Sequence, residues 1–165
     1  NREGKRATDK EGRFSFPARS QGSMLFGSHP GGWARVPVEK GDDNLKLGLK
    51  AWAHVIGTLV SSNGAAMSDV SLSLTMPSDW QHGEPHINFN DGTETDAQGR
   101  FQFAVAPPER LELQRLIPTG TGGWMHQMQT WFVAEAGITN DLGKVTYDTP
   151  PPPPLLDKLK QNLGL

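Results

Sequence analysis

A chain of 165 residues, with 16 Lys and Arg scattered among 18 Asp and Glu for a net charge of −2, has room for one ordinary domain or for one and a fraction of smaller ones. The scatter leaves no basic stripe for nucleic acid, no apolar run approaches the roughly 20 residues that span a bilayer, and the absence of cysteine excludes disulfides, thiol catalysis and Cys-based zinc sites. A hydrophobic share of 35%, beside 19 Gly and 13 Pro, suits short strands joined by many turns and argues against a helical bundle.

In chain order, residues 1–7 read as a polar lead-in, and there is no signal-peptide pattern; an opening Asn1 fits a start that has been removed. Thr8-Asp9-Lys10-Glu11-Gly12-Arg13-Phe14-Ser15-Phe16 follows, and it returns as Thr95-Asp96-Ala97-Gln98-Gly99-Arg100-Phe101-Gln102-Phe103. The Asp-to-Asp interval is 96 − 9 = 87 residues, one small-domain length, which points to tandem modules of one fold. Asp, two free positions and Gly make a tight reversal. The carboxylate accepts backbone N–H groups just ahead of it, and Gly takes the positive-φ position. One Asp supplies too few oxygens for a calcium loop. The alternation after each turn predicts strands, with Phe14 and Phe16 on one buried face, and Phe101, Phe103 and Val105 on another.

A Gly- and Ser-rich passage runs to Gly32. Trp33–Val38 and Asn44–Leu49 are the next alternating runs, closing a first module at residue 49. Ala51–Val60 opens the second, with Val55, Gly57 and Leu59 on one face. Asn63-Gly64 marks a turn, and Val70–Leu74 alternates clearly. A polar loop spans Met76–Asp91. After the repeated turn and its Phe strand, strands are predicted near Leu111–Leu116, Trp124–Val133, Gly137–Leu142 and Lys144–Tyr147. Gly32-Trp33 matches Gly123-Trp124, and Asn44-Leu45 matches Asp141-Leu142, but the first module lacks any counterpart of residues 51–94. Residues 1–49 therefore read as the back half of a sandwich, completed by a preceding part of a longer chain or by a partner that covers its open edge. Thr149–Pro154 favours a polyproline spacer. Leu155, Leu156, Leu159 and Leu163 then line one face of a short helix that needs something to dock on, its own sandwich or a partner.

Val55-x-Gly57-x-Leu59, Asn63-Gly64, Asp69-Val70-x-Leu72, Thr95-Asp96-x-x-Gly99-Arg100-Phe101-x-Phe103 and Val105-x-Pro107-Pro108 together resemble the carboxypeptidase regulatory-like domain. The likeness covers residues 50–147 in full and 8–49 as a partial copy. It implies an all-β, antiparallel, transthyretin-like (prealbumin-like) β-sandwich of about seven strands, in tandem. The segment Leu47–Gly57 is similar to junctions between such modules in large bacterial envelope proteins. Two segments depart from the family pattern: Ala65–Asp69 before the second strand, and Pro107-Pro108-Glu109 in place of Pro-Pro-Gly. The resemblance implies an accessory module beside a peptidase, transporter or adhesin, with no catalytic residues or cofactor to carry over, and an extracytoplasmic location in the periplasm or on the cell surface. The expected organisation is a partial sandwich at 1–49, a complete one at 50–148, and a spacer and helix at 149–165.

The expected function is a non-catalytic structural or protein-binding module of an envelope assembly, acting by sheet-edge pairing and helix docking. Trp33, Trp124, Leu155, Leu159 and Leu163 are the expected contact residues. Two alternatives remain. With five Trp against one Tyr, Trp33, Trp80, Trp124 and Trp131 could stack on sugar rings. His82-Gly83-Glu84-Pro85-His86 places two imidazoles and a carboxylate at period-two spacing, with His126 a further candidate ligand, a set that suits zinc. None of His29, His54, His82, His86 or His126 has Glu three residues later, so the peptidase-type zinc pair is absent, and no phosphate loop or Gly-x-Ser-x-Gly elbow occurs.

Overall fold

A computed structural model describes residues 4–17, 23–42, 44–77, 89–119 and 122–147. The chain is all-β, and it separates into two compact units, Asn1–Leu49 and Lys50–Leu165. No helix among the described residues is long and apolar enough to cross a membrane. The predicted polyproline and helical stretch at 149–165 lies outside the described residues.

The first unit is built on a hairpin of β1 (Ser23–His29) and β2 (Gly32–Val38), paired antiparallel from Ser23↔Val38 to His29↔Gly32. Its core is aromatic: Trp33 is buried, with its ring 5.6 Å from that of Phe26. Two expected strands are corrected here. Phe14–Phe16 and Asn44–Leu49 alternate in sequence but form no strand, because neither has a ladder partner among the described residues to satisfy its backbone. Leu47 and Leu49 instead pack over Gly27 of β1, where a Cβ would meet Leu47 Cδ2 at 3.0 Å. The strand β1 itself was hidden in the passage read as Gly- and Ser-rich.

Among the described residues the second unit is a β-sandwich of seven strands. One sheet has the order β6-β3-β9, from β3 (Ala53–Ser61), β6 (Arg100–Ala106) and β9 (Thr139–Tyr147). The other has the order β5-β4-β7-β8, from β4 (Ser71–Thr75), β5 (Asn90–Glu94), β7 (Arg110–Pro118) and β8 (Trp124–Val133). Val55, Leu59, Phe101 and Phe103 of the first sheet and Leu72, Leu74, Leu111 and Leu113 of the second make up the buried core. Gly57 sits within this layer because a Cβ there would lie 2.5 Å from Phe101 Cζ. Val105 was expected on the same face as Phe103 but is 43% exposed. A bulge falls where Ala53 pairs with Ala106 and Val55 with Phe103, so Ala106 turns inward in its place.

One ladder departs from the antiparallel expectation: β9 runs parallel to β3, from His54↔Thr139 to Ser61↔Tyr147. The residues between β8 and β9 carry the chain from the second sheet to the first, where β6 already occupies one edge of β3. The Asn140 side chain fixes this crossing. It donates to His54 O (3.2 Å) and accepts from Glu135 N (2.9 Å). The two runs predicted at Gly137–Leu142 and Lys144–Tyr147 are one strand, with a register shift near Gly143.

Both copies of the nonapeptide form the same turn. Asp9 Oδ1 accepts Glu11 N (3.0 Å) and Arg13 N (2.7 Å), and Asp96 Oδ1 accepts Gln98 N (2.9 Å) and Arg100 N (2.8 Å). Gly12 and Gly99 both hold positive φ, at 77° and 74°. The surroundings differ. Thr95 is buried; its Oγ1 donates to Met67 O (2.7 Å) and accepts from Val70 N (3.0 Å), which ties the end of β5 to the start of β4. Thr8 is exposed.

Hydrogen bonds from Arg100, and then from Gln98, hold the Asp96 carboxyl below its ordinary pKa; the Arg100 guanidinium, with Nε 2.8 Å from Oδ2, adds to the effect. A carboxyl whose folded pKa is lowered stabilises the fold fully above the unfolded value of about 3.9 and loses that contribution as pH falls through the folded one. Carboxyl-carbon NMR is expected to show Asp96 titrating below an ordinary Asp. Asp96→Asn is expected to flatten the loss of stability on acidification below pH 4, and an unchanged acid profile would contradict this account.

Candidate functional site

Register and a bulge together build one surface. β7 alternates over its first half, where Leu111 and Leu113 are buried and Arg110 and Glu112 face outward, and its unbroken run carries Gln114 and Leu116 to the same outward side. β8 opposite it reads Trp124-Met125-His126-Gln127-Met128-Gln129-Thr130-Trp131-Phe132-Val133. Trp124 and Trp131 are seven positions apart, and in an unbroken strand an odd separation puts two side chains on opposite faces. The ladder is broken, however. Leu113 pairs with Thr130 and Gln114 with Met128, which leaves Gln129 as an extra residue. The bulge reverses the alternation beyond it. Trp124 therefore stands opposite Pro118 and Trp131 opposite Glu112, both in the outward set, and the two indoles are 54% and 56% exposed.

Polar groups occupy the sheet between and beside them. His126 Nδ1 lies 3.0 Å from Gln114 Oε1, and Gln114 Nε2 donates to Glu112 Oε2 (3.1 Å). On the next strands, Ser71 Oγ donates to Glu94 Oε1 (3.3 Å), and Ser73 Oγ, which is fully buried, donates to Asn90 Oδ1 (2.7 Å). The Arg110 guanidinium carbon sits 4.6 Å from the centre of the Trp131 ring, a cation–π contact that fixes the plane of that indole. Among the described strands β8 is also the edge of its sheet, with Met125 and Val133 exposed on it.

Of the residues singled out in the sequence, Trp124 and Trp131 lie on this same face, toward its two ends. Trp33 lies in β2 of the first unit, only 7% exposed, which leaves little of its ring for a partner. Trp80, His82, Glu84, His86, Leu155, Leu159 and Leu163 fall outside the described residues. His126 is hydrogen-bonded to Gln114, and among the described residues no group of three or more His, Cys, Asp or Glu could hold a metal ion. Sequence reasoning missed Glu112, Gln114, Arg110 and Asn90; the outward phase of β7, set by Leu111 and Leu113, was the available signal for the first three.

No family model matches the chain. No curated protein matches it either. Among solved structures, a 9R-lipoxygenase from Cyanothece matches at 18% identity and TM-score 0.33, over 57% of this chain and 16% of its own. A Pseudomonas aeruginosa protein described as a "putative carbohydrate binding protein" matches at 12% identity and TM-score 0.40, over 59% of this chain and 90% of its own. Likenesses at this level carry no argument about activity.

Proposed function

We propose that the chain is a non-catalytic binding module that engages its ligand through the outward face of the β5-β4-β7-β8 sheet and the adjoining β8 edge. The observation that carries this is the bulge at Gln129, which brings Trp124 and Trp131 to one side, both more than half exposed. Trp is among the residue types most enriched in binding hot spots, and its ring offers a large apolar surface with a polar N–H, which favours this side of the sheet as the contact face. A second reading, addition of a partner's extended strand, is favoured by the position of β8 at the sheet edge with Met125 and Val133 exposed on it. The seven described strands, in sheets of three and four, support assignment to the carboxypeptidase regulatory-like, transthyretin-like group as part of the same proposal. So does the shared turn geometry for a tandem origin of the two units. An extracytoplasmic location belongs to it too, and cell fractionation tests that.

Chemical-shift mapping of the full chain against soluble glycans and extended peptides is the direct test. Whichever binds is expected to shift the amides of β7 and β8 and the indole N–H of Trp124 and Trp131. Trp124→Ala and Trp131→Ala are each expected to weaken that binding about tenfold or more, the scale of a central aromatic anchor. Binding mapped only to the β6-β3-β9 sheet would refute the proposal.

A further inference from the structure

We infer that this face takes a linear, uncharged polysaccharide lying along β8, an inference that rests on the binding face proposed above. Protein-binding surfaces concentrate their apolar side chains at the centre and place polar groups around the rim. Here the order is reversed. The exposed indoles stand near the two ends of the hairpin, opposite Pro118 and Glu112, and between those ends lie a half-buried Leu116 and Gln114, which is hydrogen-bonded to Glu112 and His126. Such a face matches a ligand whose apolar patches recur along its length with donors and acceptors between them. A pyranose chain has this character: each ring offers a flat C–H surface that stacks on an indole, and hydroxyls that both donate and accept.

Spacing and charge narrow the class. Pro118 and Glu112 are six ladder positions apart, about 20 Å at roughly 3.3 Å per residue, so no single sugar touches both indoles. The ligand must be a chain. Among the described residues of this face, Arg110 is engaged with the Trp131 ring and the Glu112 and Glu94 carboxylates lie on the same side of the sheet, so a polyanionic glycan meets like charge. The amide of Gln114 bridges Glu112 and His126, which holds acceptors and donors in place before a ligand arrives.

Affinity electrophoresis of the full chain through gels containing soluble β-glucan, xylan, galactomannan or polygalacturonate tests the inference. At least one neutral polysaccharide is expected to retard the wild type, with retardation reduced at least tenfold in Trp124→Ala and in Trp131→Ala. Val105→Ala, exposed on the other sheet, is expected to behave as wild type, and monosaccharides are not expected to compete. Circular dichroism and the unfolding midpoint confirm that each variant is folded. Retardation by polygalacturonate alone, or retardation that survives loss of both indoles, overturns the inference. If no glycan binds but an extended peptide shifts β7 and β8, the polysaccharide falls and the binding face stands. If neither binds there, both fall.

Discussion

Phe103→Ala is expected to destabilise the second unit by about 4 kcal/mol, the usual cost of removing a fully buried aromatic ring. Phe16→Ala, at the matching position of the repeated nonapeptide, is expected to cost about 1 kcal/mol or less. Both residues follow the same Asp-x-x-Gly turn, and both lie beside another Phe, with ring centres 6.2 Å apart in the second unit and 6.1 Å in the first. Only Phe103 stands in a paired strand. It is 2% exposed and faces Val55 across the β3–β6 ladder, whereas Phe16 is half-buried and outside any strand. Urea unfolding of the full chain, followed by amide signals from each unit, separates the two effects. Equal losses would mean that the two copies have equivalent surroundings after all.

Gly99→Ala is the second large effect, expected at about 3 kcal/mol. Two causes add. The residue holds a φ of +74°, where an L side chain is strained by about 1 kcal/mol or more. A Cβ would also fall 2.5 Å from Leu59 O and 3.0 Å from Met67 N, both backbone atoms that cannot rotate away. Those atoms already bond to each other (3.1 Å), and Leu59 N donates to Gly99 O (2.7 Å), so the turn is locked against the end of β3. Gly12, at φ +77°, has nothing within 4 Å of its hypothetical Cβ. Gly12→Ala therefore isolates the conformational part, about 1 kcal/mol, and the difference between the variants measures the steric part. A difference near zero would show that β3 yields to the intruding methyl.

Much of the second unit was legible in the sequence because its core strands alternate against water on one side. Val55, Gly57 and Leu59, and likewise Leu72 and Leu74, announce their phase directly. β5 was not legible: Asn90-Asp-Gly-Thr-Glu carries no apolar residue, and it is a strand because β4 pairs along it. Phe14–Phe16 failed in the opposite sense, since it has the pattern without a neighbour. Tertiary pairing overrides local propensity in both cases. The candidate site was only half visible. Its two Trp residues stood out by type, but their common side depends on one extra residue in a ladder, and a bulge leaves no reliable mark in composition or periodicity. Val105 went astray for the same reason on the other sheet.

The parallel seam between β3 and β9 joins segments about 85 positions apart along the chain, with every other strand of the sandwich encoded between them. During synthesis on a ribosome β3 emerges early, yet one flank of it stays open until Thr139–Tyr147 has been made. Closing so distant a loop pays its entropy before any contact rewards it, which slows assembly and leaves a bare template for misplaced strands in the interval. Loss of Asn140, whose amide sits at the mouth of that seam, should therefore show itself first as slower maturation and lower soluble yield.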